Sequence, residues 1–485
     1  MPPRWPPISS EPDLLSGLAR RISLTSEESA VFKHSLSLLA ALCQSYAESV
    51  RIYSSSPSRA VIEWYEGVVS LVGSIQGFDL VGSIVNSVHF EDDLRRAYAN
   101  RPPEVLEFSR SLPIMQPNYK IQTIDAFQTM LSSDDAMETA HNLQQDDLAA
   151  LVNYTGEVLD DSSVVDVNNF TSRKAGLVLL RKLYRKSGLY PSLLSIPSEI
   201  LHTGSALQPV ASGGFADVWK GSCRGEQAAI KVYRIVGRDV PSALLKRVLK
   251  MALISRFLRH PNIIPFYGVN TELFPLCSAH KWMPNGDINR FLRCNPRAHR
   301  VKLVVDIAEG LKFLHDMDYL RAELKGDAVL IDKAQRACIS AYEEFDDQSL
   351  HISSVYPMTT RWAAPEIIDP ERFGLERSMW TRETDIYAFS TVMWEVFTGR
   401  IPFYELSREA SVMRAIVTDR RPQRPIHATS LGLSNRIWDL MQRCWSSFPS
   451  DRPDMTDVLG CLDRVLHELG EDAPEAPEQW PLVMT

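Results

Sequence analysis

The chain has 485 residues, too many for a single core, so two or three domains are expected. It is 45% hydrophobic and 23% charged with a net charge of −8, the balance of a soluble globular protein. That excludes a general nucleic-acid binder, because phosphate neutralisation needs clustered Lys and Arg. The seven cysteines are scattered, odd in number and without any C-x-x-C, which excludes a disulfide framework and a zinc site and points to reduced thiols in a cytoplasmic protein.

The opening MPPRWPPISSEPD is Pro-rich and lacks the apolar core of a signal peptide, so 1–24 are expected to be disordered or peripheral. Thr25-x-x-Glu28 has capping-box spacing. Phe32, Leu36, Leu39, Cys43, Tyr46, Val50 and Tyr53 then recur on one helical face. A second helical stretch covers about 60–88. It contains LVGSI twice, at 71–75 and 80–84, in copies that face opposite ways and so form no repeat array. Its 67–90 portion carries Asp79 and several Gly and Ser, so no membrane span is expected there.

Prolines at 102, 103, 113 and 117 punctuate a third short helix. Residues 119–159 read as helical and acidic, with Leu148, Leu151, Val152, Val158 and Leu159 as core. Arg173–Lys186 forms a last helix through Leu177, Leu180, Leu183 and Tyr184, with Gly188 as its C-cap. Residues 25–190 are therefore expected to be an all-helical region without a chemical motif, and 191–204 a linker.

From Leu201 short β-branched runs with Gly punctuation take over, the pattern of a sheet. Pro209–Gly221 reads PVASGGFADVWKG, and Ala229-Ile230-Lys231 follows. After a helix over Pro241–Leu258 come His260-Pro261-Asn262, a turn Pro284-Asn285-Gly286 and a helix capped by Asp287. Arg300–His315 is an amphipathic helix that leads into RAELKGDAVLI at 321–331. Arg361-Trp362-Ala363-Ala364-Pro365-Glu366, Thr384-Asp385-Ile386-Tyr387-Ala388-Phe389-Ser390, Cys444-Trp445 and Asp451-Arg452-Pro453 follow in order.

Over about 205–470 this order resembles the protein kinase superfamily, with wording most similar to its tyrosine-kinase-like group of Ser/Thr kinases. The resemblance implies an α+β, two-lobed protein-kinase-like fold preceded by the all-helical N-terminal region, with 471–485 as a C-terminal tail. It also implies an ATP cleft. Its roof is the G-x-G-x-x-G-x-V hairpin, in which only the middle glycine is kept as Gly213, with Gly214 beside it and Ala211 and Ala216 at the outer positions. Val218 and Ala229 above and Leu330 below would sandwich the adenine, and Lys231 would hold phosphates. His280 takes the gatekeeper position, with Lys281-Trp282-Met283 as the hinge.

The resemblance stops at the chemistry. The H-R-D positions are Arg321, Ala322 and Glu323, a degenerate base position, with Lys325 two residues on. The loop Asn is Ala328, the D-F-G positions are Ala341-Tyr342-Glu343, and the helix Glu that would pair Lys231 is Met251. Ser255, Arg321 and Tyr342 erode the apolar column of active kinases. Both Mg²⁺ ligands are absent, so no Mg²⁺ site and at most weak, metal-independent ATP binding are expected. Glu366, Arg452 and Asp385 remain; the resemblance implies a buried ion pair between the first two and a tether from Asp385 to the catalytic-loop backbone.

The leading expectation is a pseudokinase that acts as a scaffold or allosteric partner of other signalling proteins or kinases. One alternative is an atypical active Ser/Thr kinase using Glu323 as base, with a metal held by Glu343, Glu344, Asp346 and Asp347; the plainer reading of that run is a solvated loop. Another is an effector whose helical region the pseudokinase restrains, a domain order similar to that of membrane-disrupting effectors.

Overall fold

A computed structural model gives the architecture. It describes residues 59–74, 80–86, 126–160, 170–203, 208–213, 216–235, 240–340, 360–470 and 477–484, with short pieces between 19 and 44 and between 90 and 100. The chain divides into two compact units, Met1–Leu193 and Leu194–Thr485.

The first unit is helical where it is described. Leu36, Leu39 and Cys43 are buried, as their spacing predicts, whereas Thr25, Glu28, Phe32, Tyr46, Val50 and Tyr53 lie outside the described residues. The 60–88 stretch holds two helices, α1 (Arg59–Ser74) and α2 (Leu80–Val85). Val61, Trp64, Val68 and Val72 form the buried stripe of α1. The acidic 119–159 stretch is interrupted. Ser133 accepts from the Ala136 amide and starts α3 (Asp134–His141), whose first-turn Asp134 and Asp135 suit the positive end of the helix dipole. Residues 142–144 separate it from α4 (Gln145–Asp160). The five expected core positions of α4 are all buried.

Helix α5 (Phe170–Ser187) crosses α4 where Gly176 meets Leu159, an added Cβ lying 3.1 Å from that side chain. Gly188, at φ +72°, donates to Tyr184 O at 2.7 Å and ends α5. The chain then folds back, Ser192 N donating to Asn153 Oδ1 at 2.7 Å.

The second unit begins with a sheet of β1 (Leu201–Thr203), β2 (Ala211–Ser212), β3 (Ala216–Cys223), β4 (Glu226–Tyr233), β5 (Phe266–Asn270) and β6 (Cys277–Lys281). All pairings are antiparallel in the order β1-β3-β4-β6-β5, with β2 on β3. Ile230, Cys277 and Ala279 of one face pack with Ile196 and Leu201, so residues 194–201, inside the expected linker, close that face. Ile196 N donates to Val269 O at 2.7 Å, and Asn270 Nδ2 donates back to Ile196 O at 2.9 Å. Gly268 permits this. At φ +151°, an added Cβ would stand 2.5 Å from Leu194 O. Helix α6 (Ser242–Ser255) follows β4.

The helical lobe contains α7 (Ile288–Cys294), α8 (Arg300–Asp316), the hairpin β7 (Val329–Ile331) with β8 (Ala337–Ile339), α9 (Pro365–Ile368), α10 (Arg382–Thr398), α11 (Glu409–Val417), α12 (Asn435–Cys444) and α13 (Met455–Leu469). Asp287 caps α7 by accepting the Arg290 amide at 2.9 Å. Helix α10 starts at a reciprocal Thr381–Thr384 capping box and is buried on every side from Thr384 to Thr398, so it is the axis of the lobe. A polar side chain on it must find a partner inside the protein. Among the described residues no helix is long and apolar enough to cross a membrane.

Candidate functional site: a cleft with its fasteners in place

The roof of the cleft is the β2–β3 hairpin, registered Ala211 on Val218 and Ser212 on Asp217. Gly213 N donates to Ala216 O at 2.9 Å. Gly213 lies outside the left-handed region, and among the described residues the nearest atom to an added Cβ is Ala216 O at 3.6 Å. Its conformation therefore does not demand glycine. Gly214 lies outside the described residues. Arg234 holds Asp217 through Nε at 3.1 Å and Nη2 at 2.6 Å, tying the hairpin to the end of β4. That bond first, and one from Ser212 second, bring the Asp217 pKa down to about 2.

Strand alternation puts Ala229, Lys231 and Tyr233 on one face of β4, with Ser278 opposite Lys231 and His280 opposite Ala229 on β6. Val218 stands opposite Lys231 on β3. Lys231 Nζ lies over the Tyr233 ring, 5.4 Å from its centroid. Behind it runs a polar chain: Tyr233 Oη to Ser278 Oγ at 3.3 Å, then Ser278 Oγ to His280 Nε2 at 3.3 Å. Burial, and then the Lys231 charge, push the His280 pKa down to about 3, so this imidazole is neutral at physiological pH. Met251, at the position of the family glutamate, is buried on α6. In the floor, Leu330 packs against Ile264, Met283 and Cys338.

The catalytic-loop backbone is held from α10. Asp385, fully buried, accepts the amides of Arg321 at 2.8 Å and Ala322 at 2.7 Å, and lies 3.0 Å from His315 Nε2. Ala322 sits at φ +62°, a conformation that costs an L-residue about 1–2 kcal/mol. The two charge-assisted bonds to Asp385 offset that cost. Glu323 follows, half-buried, its amide donating to Arg321 O at 2.9 Å. Lys325 Nζ reaches the exposed Asp327 at 3.3 Å. Ala328 closes the turn and has only a methyl group to offer. Among the described residues no three His, Cys, Asp or Glu side chains gather as a metal site. Ala341, Tyr342, Glu343 and the acidic run after them lie outside the described residues.

Two side chains act as fasteners in a way that the motifs did not assign. Glu395, in the middle of α10, accepts from Asn289 Nδ2 at 2.6 Å, Trp362 Nε1 at 3.0 Å and Gly326 N at 3.0 Å. It thus joins α7, the segment before α9 and the catalytic loop. Burial pushes its pKa up to about 7 against the three bonds that lower it. The signal was a lone Glu in the apolar run Val392-Met393-Trp394-Glu395-Val396-Phe397. Arg361 is the second. Its guanidinium caps the carbonyls of Pro402 at 2.9 Å, Phe403 at 2.6 Å and Leu406 at 2.7 Å, and holds Phe403 at φ +54°.

The expected Glu366–Arg452 pair is present and bidentate, at 2.5 and 2.8 Å, with side chains 3% and 0% exposed. Arg452 also donates to Ser446 O and Glu383 O and stacks on Tyr387. The cleft thus keeps the groups that shape it.

The family profile described as protein tyrosine and serine/threonine kinase matches residues 205–462. The chain is similar to serine/threonine-protein kinase STY46 of Arabidopsis thaliana, 25% identical over 271 residues, 55% of this chain and 45% of that protein. It is 26% identical over 263 residues to serine/threonine/tyrosine-protein kinase HT1 of Arabidopsis thaliana, 52% of this chain and 64% of that one. Over 287 residues it is 27% identical to mitogen-activated protein kinase kinase kinase 10 of Mus musculus, 56% of this chain and 29% of that one. The chain therefore spans less than two thirds of the length of each of these relatives.

Proposed function

This chain belongs to the protein tyrosine and serine/threonine kinase family, and from that premise we propose that it is a pseudokinase, a kinase-shaped partner that does not transfer phosphate. One observation carries the reading. Ala328 and Ala341 occupy the two positions from which the family holds Mg²⁺, and neither side chain has an oxygen. A metal contributes several kcal/mol to phosphoryl transfer, and each 1.36 kcal/mol is about tenfold in rate. With Met251 in place of the glutamate that orients Lys231, three independent parts of the machinery are missing together.

The retained parts support a scaffold. Asp385, Glu366 and Arg452 tie segments of the lobe together, while the lysine of the catalytic loop is turned to Asp327. Nucleotide would bind weakly and without metal, through Lys231 and the slot formed by Val218, Ala229 and Leu330. The partners would be other signalling proteins, kinases among them, in the cytoplasm. A thermal-shift titration with ATP tests the binding half. Stabilisation that is the same with and without Mg²⁺ is expected, and stabilisation that requires Mg²⁺ would sink the reading.

The competing reading, an active Ser/Thr kinase, draws on the carboxylate retained at Glu323 and on relatives that are named as kinases. A radiolabelled phosphotransfer assay separates the two. Activity abolished by Lys231→Met would establish the kinase.

A further inference from the structure

Arg300 opens α8, yet its side chain is 0% exposed. Its Nη1 donates to Pro296 O at 3.0 Å and Ala298 O at 3.2 Å. Its Nε and Nη2 are buried and meet no acceptor among the described residues. These two N–H groups form one edge of the guanidinium, the edge that matches two oxygens of a carboxylate or phosphate. Elsewhere in the molecule the same edge of Arg234 grips Asp217. Burial brings the Arg300 pKa down to about 10.

The C-terminal segment packs against this guanidinium. Trp480 lies against the Arg300 guanidinium, 4.4 Å from carbon to ring centroid. The indole is seated on Gly399, at φ +71°, where an added Cβ would come within 2.7 Å of the ring. The indole Nε1 is itself buried and meets no acceptor among the described residues. Beyond it Leu482 N donates to Thr398 O at 2.9 Å, and Arg400 Nε donates to Leu482 O at 2.7 Å. The segment is thus held by a cation–π contact, two hydrogen bonds and the buried Leu482 side chain. Opposing these are three orphaned donors and a desolvated charge, each costly. Detaching the segment would return all of those groups to water or to an anion.

We propose that residues 477–484 are a releasable strap over an oxoanion-binding edge of Arg300, so that a ligand with two parallel acceptor oxygens and the strap compete for the same guanidinium. This rests on the helical lobe and is independent of whether the cleft transfers phosphate.

Hydrogen exchange on the full chain tests it, read on peptides covering 477–484, with α10 peptides as the folding control. Arg300→Met keeps the packing and removes the charge and its donors, so the strap should exchange about tenfold more slowly than in the wild type. A strap anchored by its cation would instead exchange faster in that variant, and equal or faster exchange overturns the proposal. On the wild type, inorganic phosphate and acetate at tens of millimolar are compared with chloride at equal ionic strength. Faster strap exchange with phosphate alone identifies a phosphate site, and with both salts a general oxoanion site. No difference from chloride overturns the proposal whether or not the variant folds.

Discussion

The carboxylate of Glu395 accepts the backbone amide of Gly326 at 3.0 Å, so the central helix of the lobe holds the catalytic loop through a buried acid. The contact is so close that a Cβ on residue 326 would fall 2.4 Å from Glu395 Oε1. Glycine at this position and glutamate in α10 belong to one device.

The Glu395 pKa, pushed up to about 7 from the ordinary 4.5, makes that device sensitive to pH. The folded protein holds a proton that the unfolded chain releases, so this group's contribution is fully present below pH 4.5 and is lost as pH rises through about 7. The span corresponds to a few kcal/mol, of order 3. Glu395→Gln keeps the shape and can donate to Asn289 Oδ1, which is buried and has no partner among the described residues. Urea unfolding of this variant should show a flatter stability profile between about pH 5 and 8 than the wild type. Parallel profiles would refute the assignment.

Gly326→Ala should lower stability by about 2–4 kcal/mol, because the methyl group displaces Glu395 and with it three hydrogen bonds. Gly460→Ala is the control. Gly460 lies within α13 with nothing among the described residues within 4 Å of its added Cβ, and alanine there should stabilise by up to about 1 kcal/mol. Melting temperatures of the two variants should move in opposite directions.

Arg452→Leu should cost about 3–5 kcal/mol, since it leaves Glu366 charged and dry. A double variant, Glu366→Leu with Arg452→Leu, should recover part of that loss. Chemical denaturation of the four members of the cycle gives the coupling. A double variant that simply adds the two single losses would show that the pair does not act as a unit.

Gly213→Ala should leave the ATP-induced thermal shift unchanged, because neither its backbone conformation nor its contacts among the described residues require glycine. A loss of the shift would mean that ligand binding reshapes the hairpin into a form that does require it.

Much of the lobe was legible because its motifs carry their own chemistry. Glu366 and Arg452 are a matched carboxylate and guanidinium in recognisable wording, and Asp385 heads a motif whose backbone partners are known by position. The helical stripes of α4 and α5 were readable from period alone. Glu395 was not, because a helix buried all round has no polar face, and a single acid in an apolar run does not announce what it touches. The breaks at Ser133 and 142–144 were missed for a different reason: local capping interrupted an acidic stretch that composition made look continuous.

The order and spacing of short motifs, read off the chain alone, establish the kinase fold and the missing oxygens at Ala328 and Ala341, because those are matters of which atoms a residue carries. The clamp of Glu395, the closure of the sheet by residues 194–201 and the burial of Arg300 under Trp480 emerge only when distant segments meet. Their energies come from desolvation and from hydrogen bonds between residues far apart in sequence, as between Asn289 and Glu395 or Arg300 and Trp480. Such terms do not exist until packing has removed the water, and no local pattern encodes them.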